Sequence, residues 1–414
     1  MLRNYLITAY KVFMRRKLFT LINLLCIVLT LLVLMVVTAL LEHTFFPSSG
    51  AEAKSGRMLQ VLMMSSRSPD GHARRTSPLG YKVIETYLRP MASLERVAAV
   101  TLPRTVSVYK DGQVSAMALR RTDAEYWKVL EFTLLAGRLI TAEDDQQGRH
   151  VAVLNQTSAE RLFGKGQAIG QKISAGGQLL EVIGVVRDEF HLNAYADIWA
   201  PISTYPSAGF RNEMAGDFVA LLLARDAADL PAIRQEVARI AGTVVFDDPK
   251  KWASGQFWAD SKLDILARTV FNRMEVLDSG GTRLLAIIGA AMLLFMLLPA
   301  LNLVNLNVGR VLERSGEIGV RKAFGATSWQ LMGQLIVENI LLCLAGGVLG
   351  LLGTAATLAW LESSGLIPYL RVDLNFAVLG YGMLLTLIFG LLSGLLPAWK
   401  MSRLEPVHAL KGTL

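Results

Sequence analysis

The chain has 414 residues, 52% of them hydrophobic and only 18% charged, with a mean hydropathy of +0.40 and a formal net charge of +8. Soluble domains carry about 25% charged residues, so this balance excludes a disordered or ordinary soluble protein and points to a membrane protein. Two cysteines, Cys26 and Cys343, exclude a disulfide framework and a cysteine-ligated metal site.

In residues 1–17, Leu2, Leu6, Tyr10, Phe13 and Met14 share one side of a helix, among Arg3, Lys11, Arg15, Arg16 and Lys17 and no acidic residue. Such a helix lies in the membrane interface and is drawn to anionic lipid, either as a simple anchor or as a part that passes motion to the first span. Residues 18–41 are uncharged and exceed both the about 20 residues a span needs and the about 7–15 of a signal-peptide core. No small-residue cleavage site follows, so this window predicts a retained transmembrane helix. Three further uncharged windows, 284–309, 339–361 and 374–399, predict the second, third and fourth spans, the third extending back to about 331.

Basic residues dominate the segments 1–17, 310–330 and 400–414, which places all three in the cytoplasm and gives a topology with both termini inside. Residues 42–283 and a short loop at 362–373 then lie outside. This placement removes the nucleic-acid reading of the net charge, because the basic excess sits beside the spans. Outside, Met58–Met64, a helix at Leu79–Met91 and Val97–Leu102 form a strand-helix-strand unit. Phe218–Ala224, a helix at Leu230–Ile240 and a strand at Thr243–Phe246 form a second.

The pattern predicts one α/β subdomain built from both ends of the segment, around a mainly β insert at about 104–206. In the insert, Thr105–Tyr109 and Gln113–Leu119 alternate around the turn signal Asp111-Gly112. His150–Leu154 and Gln178–Val186 predict strands, and Ser158–Phe163 a helix stopped by Gly164. The expected fold is thus an α-helical membrane protein with four transmembrane helices and a large α+β domain between the first and second.

The histidines of this domain lack ligand spacing, and no nucleophile elbow or zinc-protease helix occurs. Asp144-Asp145 and Asp247-Asp248 are expected in solvated loops, and Trp252 and Phe257 in packing. In the spans, Gly346-x-x-x-Gly350 and Gly390-x-x-x-Gly394 offer close-approach faces, for packing within one protomer or for a dimer seam.

Two cytoplasmic stretches carry a family resemblance: Glu313-Arg-Ser-Gly-Glu-Ile-Gly-Val-Arg-Lys-Ala-Phe-Gly-Ala326, and Leu396-Pro-Ala-Trp-Lys-Met-Ser-Arg-Leu-Glu-Pro-Val-His-Ala-Leu-Lys411. Both resemble the FtsX-like permease domain of MacB-type (type VII) ABC transporters. In the outer segment Gly137-Arg138, Val151–Leu154, Leu162-Phe-Gly164, Ile169-Gly-Gln171 and Val182–Val186 follow the order of the MacB-type periplasmic core domain.

The resemblance implies a non-catalytic permease subunit in the bacterial inner membrane, with a porter-like α/β subdomain. It also implies an ATPase-coupling element at Glu313, Arg314, Glu317, Ile318, Arg321, Lys322, Gly325 and Ala326. Glu313, Glu317 and Arg321 stand at i, i+4 and i+8 on one helical face. The chain lacks a Gly-x-x-x-x-Gly-Lys-Ser/Thr phosphate loop, so ATP and Mg are expected on a separate ATPase, present in two copies, with no cofactor in this chain. The further partners implied are a second permease copy, identical or related, membrane lipid, and a periplasmic adaptor with an outer-membrane channel. The implied work is mechanotransmission that drives efflux of a small molecule or peptide, with lipoprotein release or regulation of a cell-wall hydrolase as alternatives.

Overall fold

The computed structural model describes residues 11–364 apart from 12, 16, 48, 111, 165, 275 and 314–326, together with 380, 381, 384, 387, 388 and 391. The chain divides into two units, Met1–Leu41 with Leu285–Leu414, and Glu42–Leu284. Helix α1 (Lys17–Phe45) covers the first uncharged window and runs four residues past it.

Through the second unit the chain forms β1 (Met58–Val61), β2 (Met63–Arg67), β3 (Arg74–Pro78) and a short helix, Tyr81–Val83, continued by a π-helical turn, Ile84–Leu88. Then come β4 (Leu94–Thr101), β5 (Arg104–Lys110), β6 (Gln113–Thr122), β7 (Leu134–Gly137), β8 (Val151–Asn155), α2 (Gln156–Phe163), β9 (Lys172–Ala175) and β10 (Gln178–Val186). The unit ends with β11 (Ile198–Pro201), β12 (Phe218–Ala224), α3 (Leu230–Ala241), β13 (Ser254–Phe257) and α4 (Lys262–Phe271).

Strand β12 lies between β1 and β4 and is antiparallel to both, so the two ends of the unit build one sheet. Every residue of β12 is apolar because both faces of that sheet are covered. Ala220, Leu222 and Ala224 join Val83, Ile84 and Leu88 of the short helix and Ile233 and Val237 of α3 in one core. Val219, Leu221 and Leu223 join Tyr126, Trp127 and Trp199 in another.

The insert closes on itself. β6 pairs with β11, followed in order by β8, β10, β9 and β5, and the β5–β6 hairpin completes a six-stranded barrel. Met117, Leu119, Leu154, Ile173, Leu180 and Val182 fill it. One residue pair, Val100 with Thr122, joins barrel strand β6 to β4 of the open sheet. A separate three-stranded sheet, β13-β2-β3, lies outside both.

Three expectations need correction. Thr243–Phe246 is not a strand: Val244 and Phe246 turn into the core, while the amide of Val245 donates to the Tyr87 hydroxyl at 3.0 Å. The run Met58–Met64 is two strands, broken at Leu62, because its second half leaves for the small sheet. The helix expected at Leu79–Met91 is confined to Tyr81–Leu88. Before it, a side chain on Gly80 would collide with the Glu213 carbonyl.

In the first unit, α5 (Gly281–Glu313) and α6 (Ser328–Ser364) follow the outer segment. Among the described residues two helices, Thr20–Phe45 and Ile336–Ser364, are long and apolar enough to cross a membrane, and Gly281–Leu297 is a shorter apolar stretch. The window 374–399 falls almost wholly outside the described residues. Two apolar candidate spans therefore flank a large α+β domain that contains a β-barrel. Helices α1 and α6 meet along Ile27, Leu31, Leu342 and Cys343. A Cβ on Gly346 would stand 2.6 Å from Ile27 Cγ2, and one on Gly350 3.1 Å from Leu31 Cβ, so the two glycines set the closeness of this pair.

Candidate functional site

Glu313 is the last residue of α5, and Arg314, Glu317, Ile318, Arg321, Lys322, Gly325 and Ala326 lie outside the described residues, as do Gly390 and Gly394. The residues that can be built into sites belong to Glu42–Leu284.

The scattered motifs of this unit converge on one corner of the barrel. Gly137 of β7 pairs with Gly184 of β10. A Cβ on Gly137 would strike the Ile183 carbonyl, and one on Gly184 the Arg138 carbonyl, so only paired glycines let these backbones approach. Gly137 also has φ of 74°, the left-handed region glycine tolerates. The Arg138 amide then donates to the Ile183 carbonyl at 2.9 Å, and Ile169 covers Gly137.

The Arg138 guanidinium grips both oxygens of Asp144, at 2.5 and 2.9 Å. Asp144 also accepts from the Thr141 amide and hydroxyl, closing a capping box on the helix Ala142–Gln146, and from Arg149 at 3.2 Å. Its carboxylate is wholly buried, and the Arg138 guanidinium foremost holds it well below the usual carboxylate range. The solvated-loop expectation therefore fails for Asp144. It fails for Asp145 too, which accepts from the Ser203 amide at 2.7 Å. Asp247 and Asp248 are exposed, with Asp247 paired to Lys82.

The depressed Asp144 contributes stability that is complete above the unfolded value of about 3.9 and is lost as pH falls through the folded one. Asp144→Asn should cost about 1–3 kcal/mol at neutral pH, since it leaves two guanidinium groups short of an acceptor. In thermal unfolding scans, wild type and variant should begin to approach one another as the pH drops below about 4, and should meet only once it passes below the depressed folded value.

A second polar cluster follows α1. Glu52 is buried, pairs with buried Lys262 and accepts from the amides of Asn193 and Ala194 at 2.7 and 3.0 Å. Glu189 accepts from the Ala51 amide at 3.1 Å and lies 3.4 Å from His191 Nδ1. The His191 ring meets that of His43 at 4.9 Å, although 148 residues separate the two. No group of three metal-capable His, Cys, Asp or Glu side chains occurs among the described residues.

Beside this cluster lies a cavity of about 690 Å³. Leu62, Leu102, Val219, Ile265, Phe190 and Leu192 form its apolar wall, and Arg120 and Asn193 are polar members of its lining. Arg120 comes from β6, yet is only 4% exposed. It donates to the carbonyls of Tyr195 at 2.7 Å, Leu192 at 2.7 Å and Thr101 at 3.3 Å. Burial pulls its pKa below the ordinary arginine value. A smaller cavity of about 450 Å³ includes Trp252 in its lining, whereas Phe257 is buried in the core.

Along the sequence, two candidate membrane spans flank an α+β domain with a barrel. Residues 20–240 match the MacB-like periplasmic core domain, and residues 289–406 the FtsX-like permease C-terminal family. The chain belongs to this MacB/FtsX family of ABC transporter permeases, and its second unit corresponds to the periplasmic core domain. It is similar to the Uncharacterized ABC transporter permease YknZ of Bacillus subtilis, 26% identical over 333 residues that cover 78% of this chain and 77% of that one. It is also similar to the Macrolide export ATP-binding/permease protein MacB of Marinobacter nauticus, 25% identical over 358 residues. That match covers 84% of this chain, which spans about half (52%) of the Marinobacter protein. The periplasmic region of MacB from Actinobacillus actinomycetemcomitans aligns with a TM-score of 0.39 and 18% identity, covering 52% of this chain and 93% of that one.

Proposed function

We propose that the chain is the permease subunit of an ABC exporter. A separate ATPase, in two copies, acts on it from the cytoplasm, and two permease copies, identical or related, transmit its motion to their periplasmic domains. In this reading four spans connect the two sides, both termini are cytoplasmic, and residues 310–330 receive the push. The cycle drives efflux of a small molecule or peptide through a periplasmic adaptor and an outer-membrane channel. The observation that carries the reading is the double match, to a periplasmic core domain and to a permease C-terminal region. Thermodynamically, coupling needs only that ATP-bound and ATP-free ATPase dimers favour different helix arrangements.

Purification of the tagged, full-length chain from native membranes tests the composition. An ABC ATPase should co-purify in a one-to-one ratio, together with an adaptor. Recovery of the chain with no ATPase contradicts the reading. Recovery with an ATPase and a lipoprotein carrier or a cell-wall hydrolase instead of an adaptor replaces efflux by lipoprotein release or hydrolase control.

A further inference from the structure

The cavity beside Arg120 combines three features that together describe a ligand. Its volume of about 690 Å³ falls within the about 300–1,000 Å³ of small-molecule sites. Its wall is mainly aliphatic and aromatic, and two of its side chains, Phe190 and Leu192, remain 50% and 52% exposed. Its one cation is buried without a counter-ion: among the described residues no carboxylate pairs with Arg120, and the nearby Glu52 is committed to Lys262. Three carbonyls take three of the five guanidinium donors, which leaves two for a ligand. Asn193 adds a buried side-chain amide nitrogen that has no partner among the described residues.

A buried cation and unmatched donors cost stability unless an anion arrives. Both rims of the cavity are also tied to the chain just after α1. His191 Nε2 lies 3.3 Å from the His43 carbonyl, and Lys262, one turn before Ile265, donates to the Thr44 carbonyl at 3.4 Å.

We infer that this cavity binds an anionic amphiphile, its acyl chain against Leu62, Val219 and Ile265 and its carboxylate or phosphate head on Arg120. The site is independent of the coupling reading, since it needs neither an ATPase nor a second permease. Its chemistry fits a free fatty acid or an acidic phospholipid, and the experiment separates them.

The full-length chain in phosphatidylcholine nanodiscs is irradiated with photoactivatable palmitic acid, phosphatidylglycerol or hexadecanol, and labelled peptides are mapped by mass spectrometry. Palmitic acid, or phosphatidylglycerol, should label the peptides containing residues 190–195 and Ile265, and the unlabelled compound should compete. Whichever labels identifies the source. Labelling should fall at least about tenfold in Arg120→Met and in Ile265→Trp, the second filling the cavity with Arg120 in place. Equal labelling by hexadecanol, labelling that survives Ile265→Trp, or no labelling of these peptides by either anion overturns the assignment.

Discussion

Replacing Glu317 and Arg321 together by alanine should leave the chain inserted in the membrane and abolish its stimulation of the partner ATPase. The segment lies outside the described residues, and the expectation rests on spacing and on family membership. Glu317 and Arg321 stand at i and i+4 in the connection between α5 and α6, which in the proposed topology is the part of this helix pair that a cytoplasmic motor reaches. An i, i+4 pair contributes only about 0.2–0.5 kcal/mol to its helix. Coupling between sites is typically about 1–3 kcal/mol, or about 5- to 150-fold. Loss of the pair is thus too small a perturbation of the fold to explain loss of coupling. The exchange Glu317→Arg with Arg321→Glu sharpens the point, because it keeps opposite charges at i and i+4 and reverses the charges that the proposed coupling element would offer an ATPase. ATPase assays on reconstituted complexes should show neither variant stimulating; wild-type stimulation by the double alanine variant removes these residues from the coupling surface.

Arg268→Met should be the most destabilising single change in the periplasmic domain. Arg268 is 2% exposed, holds both oxygens of Asp260 at 2.7 and 3.1 Å, and lies over the Trp258 ring at 4.4 Å. Its remaining donors reach the carbonyls of Arg273, Val276 and Leu277, which fasten the chain between α4 and α5. Removing one partner of such a buried pair costs about 3–5 kcal/mol. Burial already pushes the Asp260 carboxyl up to about 6 with the arginine present, and without it the value must rise further. A carboxyl with a raised folded value contributes most below its unfolded value and loses that contribution as pH rises. The variant should therefore be less destabilised at about pH 5 than at about pH 8, a difference that lost packing alone would not produce. Arg268→Lys should restore little, since a single ammonium cannot reproduce the guanidinium fork. Thermal unfolding and limited proteolysis across residues 272–280 measure both effects.

The elements legible in the sequence are those specified locally. Strand β10 occupies Gln178–Val186 as its apolar run and the turn glycines Gly176 and Gly177 predict, both with positive φ. Helix α2 ends at Gly164, whose φ of 69° accounts for the stop. The spacing of motifs 137–138, 169–171 and 182–186 was visible, but their common purpose was not, because the Gly137–Gly184 contact is made between strands.

Non-local features were hidden for the same reason. Barrel closure depends on the short β11 lying parallel to β6, and no pattern in Ile198–Pro201 announces that partner. Arg120 stands in Arg120-Arg121-Thr122, which resembles the solvated end of a strand, until the 187–197 connection folds over it. Helix α4 carries a local signal of its own, the capping box of Ser261 and Asp264.

In the proposed cycle, ATP on a cytoplasmic partner moves the periplasmic domains. The most direct test is a spin-label distance measurement at Leu179, an exposed residue of β10, in the reconstituted permease–ATPase complex, with Cys26 and Cys343 replaced and Leu179→Cys labelled. The distance distribution between the two permease copies should shift between the nucleotide-free and ATP-trapped states, and the shift should vanish in the Glu317, Arg321 double alanine variant. Identical distributions in both states, in a complex that hydrolyses ATP, would contradict mechanotransmission.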